Sequence, residues 1–430
     1  MKSSYQKLNL GEITEIFSGF AFKSRNLIDS DKNAIPVIKI ANIQNKKVLK
    51  EGNGFLPKDL YNEKLERYKL NKDDFLVAMT GAGSVGKVGK MRGQDRQYLV
   101  NQRVGVVRPS AGQVNPEFLF QVLSDDYYEN YLYQIGIGSG QPNVSATDIG
   151  NLEIPFPSLD IQRKIASILS AFDDLIENNT RRIAILEEMA RRIYRDWFVH
   201  FKYPSHENDE LVDSGTELGE IPEGWEVLKL GDVLTKLESG NRPKGGVSQY
   251  DYGMPSVGAE NVLGVGKYDY SKEKYVPKEF YEEMNKGLVE DYDVLIYKDG
   301  ASLGRVSIFG DGFPHSELCI NSHAYLVRTD KTCSQAYLYF WMDSPLIEST
   351  IRNSNTNAAQ PGINMGDVRG FQLLIPSKKV LRKFDKIGEP IVSEIFHLAK
   401  KNQRLKETRD LLLPKLISGK IDVGEMELAI

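Results

Sequence analysis

The sequence predicts a mixed α+β fold built as a tandem duplication: two globular domains separated by two long helices that form an antiparallel coiled coil. Three observations predict it. Motifs of the first half return in the second at a nearly constant offset. Two long segments carry apolar residues at seven-residue spacing. The rest of each half alternates short strand-like runs with turns.

The duplication decides how every other motif is read. "LNLGEITEIFSG" at Leu8 returns as "LKLGDVLTKLESG" at Leu228. "SVGKV" at Ser84 returns as "SLGRV" at Ser302, and "VNQRVGVVR" at Val100 as "INSHAYLVR" at Ile320. "GQPNVSATDIGNLEIPFPS" at Gly140 returns as "AQPGINMGDVRGFQLLIPS" at Ala359. The offset stays near 220 in a chain of 430 residues, so the period describes two similar domains and not a solenoid.

Each half ends in a long helix. In the first, Ile165, Phe172, Asn179, Leu186 and Ile193 recur at sevens. Ile168, Leu175 and Met189 fill the offset of three, and no Gly or Pro interrupts the run from Ile161 to Phe198. Such a helix spans roughly 55–60 Å at 1.5 Å per residue. One small domain cannot bury so long a stripe, so the helix needs a long partner. The second half supplies Phe384, Ile391, Leu398, Leu405 and Leu412 at sevens. Pro390 predicts a kink or restart there, and Pro414 falls in the last turn before a stop at Ser418-Gly419. The first helix leads into the second half-chain, so the two most simply run antiparallel. Asn179 stands in the seam, where a polar residue fixes register at some cost in stability; the alternative is an exposed edge.

The expected organisation is a globular domain over 1–155, a central helix over 156–201, a linker over 202–217, a second globular domain over 218–376 and a C-terminal helix over 377–424. Strands are expected at "IPVIKIAN", "DFLVAMT", "VGVVRPS", "DVLIYKD" and "AYLVRTD". "NPEFLFQVLSDDYYENYLYQI" and "SQAYLYFWMDSPLIESTIRN" read as helical, and the linker is polar and proline-punctuated.

Composition narrows the function classes. No run of about twenty apolar residues is present, so no membrane span is expected. The start "MKSSYQKLNLGEITEIF" has no apolar signal core. Two cysteines make neither a disulfide framework nor a cysteine-rich zinc site, which fits a reducing cytoplasm, and no histidine pair has metal-ligand spacing. The formal net charge of −4 argues against a lone, non-specific nucleic-acid binder but not against a specific one.

"TGAGSVGKVGK" (Thr80–Lys90) is a phosphate-binding loop in all but its last position, where Val88 replaces the hydroxyl that would hold magnesium. The repeat argues against that reading. "GAGSVGKV" corresponds to "DGASLGRV", with Asp299 in place of the first glycine and Arg305 in place of Lys87. A glycine turn between two strands survives such changes and a phosphate cradle does not. Both copies keep Ser84 or Ser302, an apolar residue, a glycine and a cation. Ser84, Lys87, Ser302 and Arg305 are therefore candidates for contact with an anion such as DNA, against plain solvation. The Gln-Pro loops offer a second set: Gln141, Asn143 and Ser145 in one copy, and Asn357, Gln360 and Asn364 in or beside the other. Asn and Ser in such loops also cap their own backbone, which is the competing reading.

At this point the chain resembles a known family, the specificity subunits of type I restriction–modification systems. "LGEIPEGWEVLKLGDV" (Leu218–Val233) and "LVEDYDVLIYKDGASLGRVSIF" look like the opening and middle of a target-recognition domain. "FPSLDIQRKIASILSAFDDLIENN" and "RLKETRDLLLPKLISGKIDV" look like the two spacer-helix signatures. The first copy opens with "YQKLNLGEITEIFSGFAF" and lacks the Pro-Glu-Gly-Trp lead. The resemblance implies a non-catalytic subunit with no cofactor or metal of its own. It implies one recognition domain for each half of a split double-stranded DNA target, with the helix pair setting the unread spacing. It further implies two adenine methyltransferase subunits using S-adenosylmethionine, docked through the helices, and, where present, two restriction subunits using ATP and Mg. The place of action implied is the cytoplasm.

Two other readings compete. A DNA methyltransferase would need a cofactor glycine motif and an Asn-Pro-Pro-aromatic motif. "FSGFAF" has Ala21 where the second glycine belongs, and "NLEIPFP" lacks the Asn-Pro-Pro order. A coiled-coil scaffold that reads no DNA draws some support from Glu279, Glu282, Glu283, Glu290, Asp291 and Asp293, otherwise expected to form a solvated face turned from DNA.

Overall fold

The computed structural model describes residues 5–29, 32–50, 54–137, 142–353 and 361–424. It divides into two compact units, Met1–Asp174 with Lys406–Ile430, and Leu175–Leu405. The division falls inside both long helices, so each unit holds one globular half and a stretch of each helix.

In the first unit, six strands pair in the order Thr14–Ser18, Val104–Pro109, Phe75–Ala78, Val88–Lys90, Lys47–Val48 and Ile43–Gln44. Phe75–Ala78 is buried along its whole length and lies third in that order, as an apolar run covered on both faces should. A second sheet pairs Ala34–Ile38 antiparallel with Phe55–Pro57 and parallel with Leu99–Val100. The half closes on itself, because its first strand, Lys7–Asn9, pairs with its last, Glu153–Pro155. The stretch expected as one helix is two, Pro116–Leu123 and Asp126–Gly136. Ser124 ends the first, and Asp125 caps the second, accepting from the Tyr127 N–H.

The core of this unit gathers Phe118, Leu119, Leu152 and Ile154 with Ile165 and Leu169 of the central helix, Leu159–Phe198. Leu413, Leu416 and Ile417 of the C-terminal helix, Lys378–Ile417, join it, as does Val423 beyond. Gly419, with φ +73°, turns the chain back after the helix ends.

The second unit repeats the plan with four strands, Leu234–Ser239, Ala324–Thr329, Val294–Tyr297 and Val306–Ile308. Tyr275–Val276, Met254–Val257 and Cys319–Ile320 form its second sheet, and Glu226–Lys229 closes on Gln372–Ile375. Here too the expected single helix is two, Gln335–Met342 and Pro345–Asn353. Part of the expected linker is ordered structure. Tyr203 is buried, and Leu211–Asp213 pairs with Glu220–Pro222.

Within each unit the helix stretches run antiparallel. Asp173 meets Arg409 at 2.6 Å in the first; in the second, Asn179 meets Asn402 at 2.9 Å and Arg182 meets Glu394 at 3.0 Å. Ile165, Asn179, Phe384, Ile391 and Leu398 are buried in the seam, with Phe172, Leu186, Ile193, Leu405 and Leu412 partly buried. Leu175 and Met189 do not fill it, being 45% and 47% exposed. From Glu187 onward the buried positions advance by one, to Glu187, Ala190 and Tyr194. A helix of 3.6 residues per turn drifts by about 20° per heptad, and the globular half covers the flank it drifts toward.

Pro390 does not restart the C-terminal helix, which is continuous over 40 residues. Pro390 faces solvent, while Ile391, Val392, Ile395 and Phe396 bury their side chains and offset the lost hydrogen bond. Asn179 is not at an edge: it is 3% exposed, and its amide donates to Asn402, itself 8% exposed. Asp293 does not belong to a solvated acidic face. It is fully buried and holds Arg328 by two hydrogen bonds of 2.7 Å. Asp74 and Arg108 make the same paired contact in the first unit, at 2.9 and 2.8 Å. Among the described residues, no helix is long and apolar enough to cross a membrane.

Candidate nucleic-acid interface

Three loops meet at one edge of each unit, held by the same backbone hydrogen bonds in both. The glycine hairpin reaches the Gln-Pro loop through Gly81 N–H to Pro142 O at 3.1 Å and Gly300 N–H to Pro361 O at 2.9 Å. Met79 N–H to Arg103 O and Lys298 N–H to His323 O, both 3.0 Å, bring in the turn after the Val100 and Ile320 strands. Val144 and Ile363 close the set on the Met79 and Lys298 carbonyls at 2.9 Å.

These bonds correct the alignment of the hairpins. Thr80 pairs with Asn143 as Asp299 pairs with Gly362, so Asp299 corresponds to Thr80 and Gly300 to Gly81. The first copy carries one extra residue before Ser84. No helix follows either hairpin. Val88–Lys90 and Val306–Ile308 are strands, antiparallel to Phe75–Ala78 and Val294–Tyr297. Gly86 and Gly304 take φ of +87° and +82°, which aims the next residue outward. Lys87 and Arg305 are exposed there, and neither makes an ion pair among the described residues. Their N–H groups donate to Ser84 O and Ser302 O, both at 3.1 Å, so each hairpin presents a serine and a cation together. Burial pushes the Glu129 carboxyl beside Lys87 up from its ordinary value, and Lys87 and Lys46 oppose that shift.

The Gln-Pro loops divide. Gln141, Asn357 and Gln360 lie outside the described residues. Asn143 is exposed in the cluster. Ser145 and Asn364 are N-caps of the short helices Ala146–Gly150 and Met365–Gly370, each in a capping box with Asp148 or Asp367. The Asn364 amide oxygen already accepts from the N–H groups of Gly366 and Asp367, as the backbone-capping alternative expects. These helical turns also stand between the loops and the strands entering the spacer helices.

Several residues at this edge escape sequence reasoning. Arg103 is exposed in the first unit; its counterpart His323 instead bonds Asp299 through Nδ1 at 2.6 Å. Burial, with Asp299 nearby, pushes the Tyr297 phenol up. The segments after Gly19 and Gly240 add exposed Lys23 and Arg25, and Arg242 and Lys244. A Cβ on Gly19 would sit 2.3 Å from Val100 O, and one on Gly240 1.6 Å from Ile320 O, so only glycine lets these segments cross the sheet. The repeated Ser-Gly was the available signal, but not the charge pattern beyond it.

A family model described as the type I restriction modification DNA specificity domain matches residues 2–188 and again 222–407. The MjaIX specificity subunit of Methanocaldococcus jannaschii, a type I restriction enzyme component, is 30% identical over 81% of this chain and 78% of its own. The EcoKI specificity subunit of Escherichia coli K12 is 23% identical over 85% of this chain and 77% of its own. The crystal structure of the type I restriction–modification S subunit from M. genitalium shares the fold, with a TM-score of 0.58, 17% identity and 96% of each chain covered. The two matched segments fall one in each half of the duplication, each containing one copy of the three-loop edge, and the chain belongs to the type I restriction–modification DNA specificity family.

Proposed function

We propose that this chain reads a bipartite double-stranded DNA target, one half-site per globular domain. Residues 1–155 and 218–376 are the recognition domains, and 156–201 and 377–424 are the helices that set the unread spacing between them. The chain itself is non-catalytic. Two methyltransferase subunits using S-adenosylmethionine dock on the helices and modify adenine, and restriction subunits using ATP and Mg join where the system has them. The complex works in the cytoplasm, where its DNA lies.

The observation that carries this reading is the doubled edge: the same three loops, bonded in the same way, each presenting a cation from a glycine turn. Lys87 and Arg305 serve as backbone-phosphate contacts, with Ser84 and Ser302 beside them; Arg103 and Asn143 are within the same loop set, and Arg242 and Lys244 lie in the segment after Gly240. Gln141 and Gln360 remain candidates on sequence position alone.

A phosphate contact weakens binding to every sequence alike and lowers the salt slope by about one per contact. Lys87→Ala and Arg305→Ala, measured in the assembled complex against target and scrambled duplex, are expected to weaken both and to flatten the slope by about one each. Unchanged affinity on both duplexes in a folded complex would remove these residues from the interface. A scaffold without DNA reading predicts no salt-dependent binding to either duplex.

A further inference from the structure

Each recognition half is tied to the central helix by a carboxylate that it almost encloses. In the first unit the Asp173 carboxylate, 16% exposed, accepts from Arg409 at 2.6 Å and from Gln121 Nε2 at 2.8 Å. Arg92, just past the strand Val88–Lys90, lies 3.7 Å from Asp173 and 3.0 Å from Asp174. In the second unit the Glu187 carboxylate, 10% exposed, meets Lys267 and Arg191, each at 2.9 Å. Arg191 continues to Asp343 at 2.6 Å, and burial pushes the Asp343 carboxyl up to about 6. Gln121 lies in the first short helix of its half, Pro116–Leu123, and Asp343 directly follows the matching helix, Gln335–Met342. The cations that the globular halves supply come from different loops: Arg92 follows the strand Val88–Lys90, and Lys267 lies between Met254–Val257 and Tyr275–Val276.

We propose, building on the reading of the helix pair as a ruler that sets the unread spacing, that Asp173 and Glu187 are positioning residues that fix each recognition domain in angle about the helix, and so give the complex its discrimination between spacer lengths. The apolar core that joins each domain to the helices seats it, but apolar contact is non-directional and restrains a small roll less sharply than directional hydrogen bonds do. One base pair of spacer changes the separation of half-sites by about 3.4 Å and their relative rotation by roughly 34–36°, at 10–10.5 base pairs per turn. A domain free to roll through that angle accepts the neighbouring spacing. Hydrogen-bonded charges anchored on a nearly enclosed carboxylate have a narrow geometric optimum and resist such rolling.

The test maps adenine methylation by the assembled methyltransferase complex on a duplex library in which the half-sites are separated by every spacer within two base pairs of the native one. Asp173→Asn and Glu187→Gln keep shape and remove charge. Both are expected to leave the half-site sequences unchanged and to raise methylation at one-base-pair-off spacers about tenfold relative to the native spacer. The exchange Glu187→Lys with Lys267→Glu is expected to restore discrimination. Variants that assemble and methylate with the native spacer preference overturn the proposal, as does an equal loss at all spacers, which is the signature of a purely structural contact. A wild-type complex with no bipartite target would instead overturn the ruler reading, independently of these variants.

Discussion

Arg328→Ala is expected to destabilise the second unit by about 3–5 kcal/mol, the cost of leaving a buried carboxylate unpaired. Asp293 is fully buried, and Arg328 supplies two of its hydrogen bonds; the Glu290 N–H supplies another at 2.8 Å. With the guanidinium gone, the charge keeps one neutral donor in a site closed to water. Arg108→Ala should do the same to the first unit through Asp74, whose carboxylate likewise accepts from the Asn71 N–H at 2.8 Å. Urea unfolding with hydrogen exchange read by segment checks both. Protection should fall across Val294–Tyr297 for Arg328→Ala and across Phe75–Ala78 for Arg108→Ala. The double change Arg328→Met with Asp293→Asn should cost less than Arg328→Ala alone, since it removes the charge along with its partner. A loss below about 1 kcal/mol in Arg328→Ala, the level of an exposed pair, would contradict the burial argument.

Leu416→Ala is expected to cost about 2–5 kcal/mol in the first unit, although Leu416 lies near the other end of the chain. The side chain is 2% exposed and packs with Leu413, Ile417 and Val423 in the core that holds Phe118 and Ile154. Hydrogen exchange should show the Phe75–Ala78 strand losing protection while Val294–Tyr297 keeps it. Equal loss in both strands, or loss in the second alone, would mean that the C-terminal segment is not part of the first core.

Much of this architecture is legible in the sequence because duplication repeats the evidence. The Ser-x-Gly-cation turn is ambiguous once and decisive twice, since no phosphate cradle tolerates Arg305 for Lys87. The sevens of Phe384, Ile391 and Leu398 predict the seam, and the chain path predicts its direction. What escaped has physical causes. Asp293 looked solvated because its partner Arg328 is distant in sequence and is brought to it by strand pairing. Pro390 suggests a restart because local rules count its missing N–H and not the packing of Val392 and Phe396 that holds the helix. For Asn364 and Ser145 the sequence left DNA contact and backbone capping both open, and the caps show the second: a capping residue is engaged by the helix it begins. The helix breaks at Asp125 and Ser344 were hidden by apolar spacing that continues on either side.

The ruler reading is tested most directly by lengthening both helices together, with four residues inserted after Asn179 and four ahead of its partner Asn402. The insertion adds about 6 Å and roughly one turn, keeping the seam nearly in phase as a stutter. At 3.4 Å per base pair, that is on the order of one or two base pairs. Methylated adenines, mapped in cells carrying the variant and its partner subunits, should keep both half-site sequences and show a spacer longer by one or two base pairs. Methylation at the original spacing would contradict the ruler.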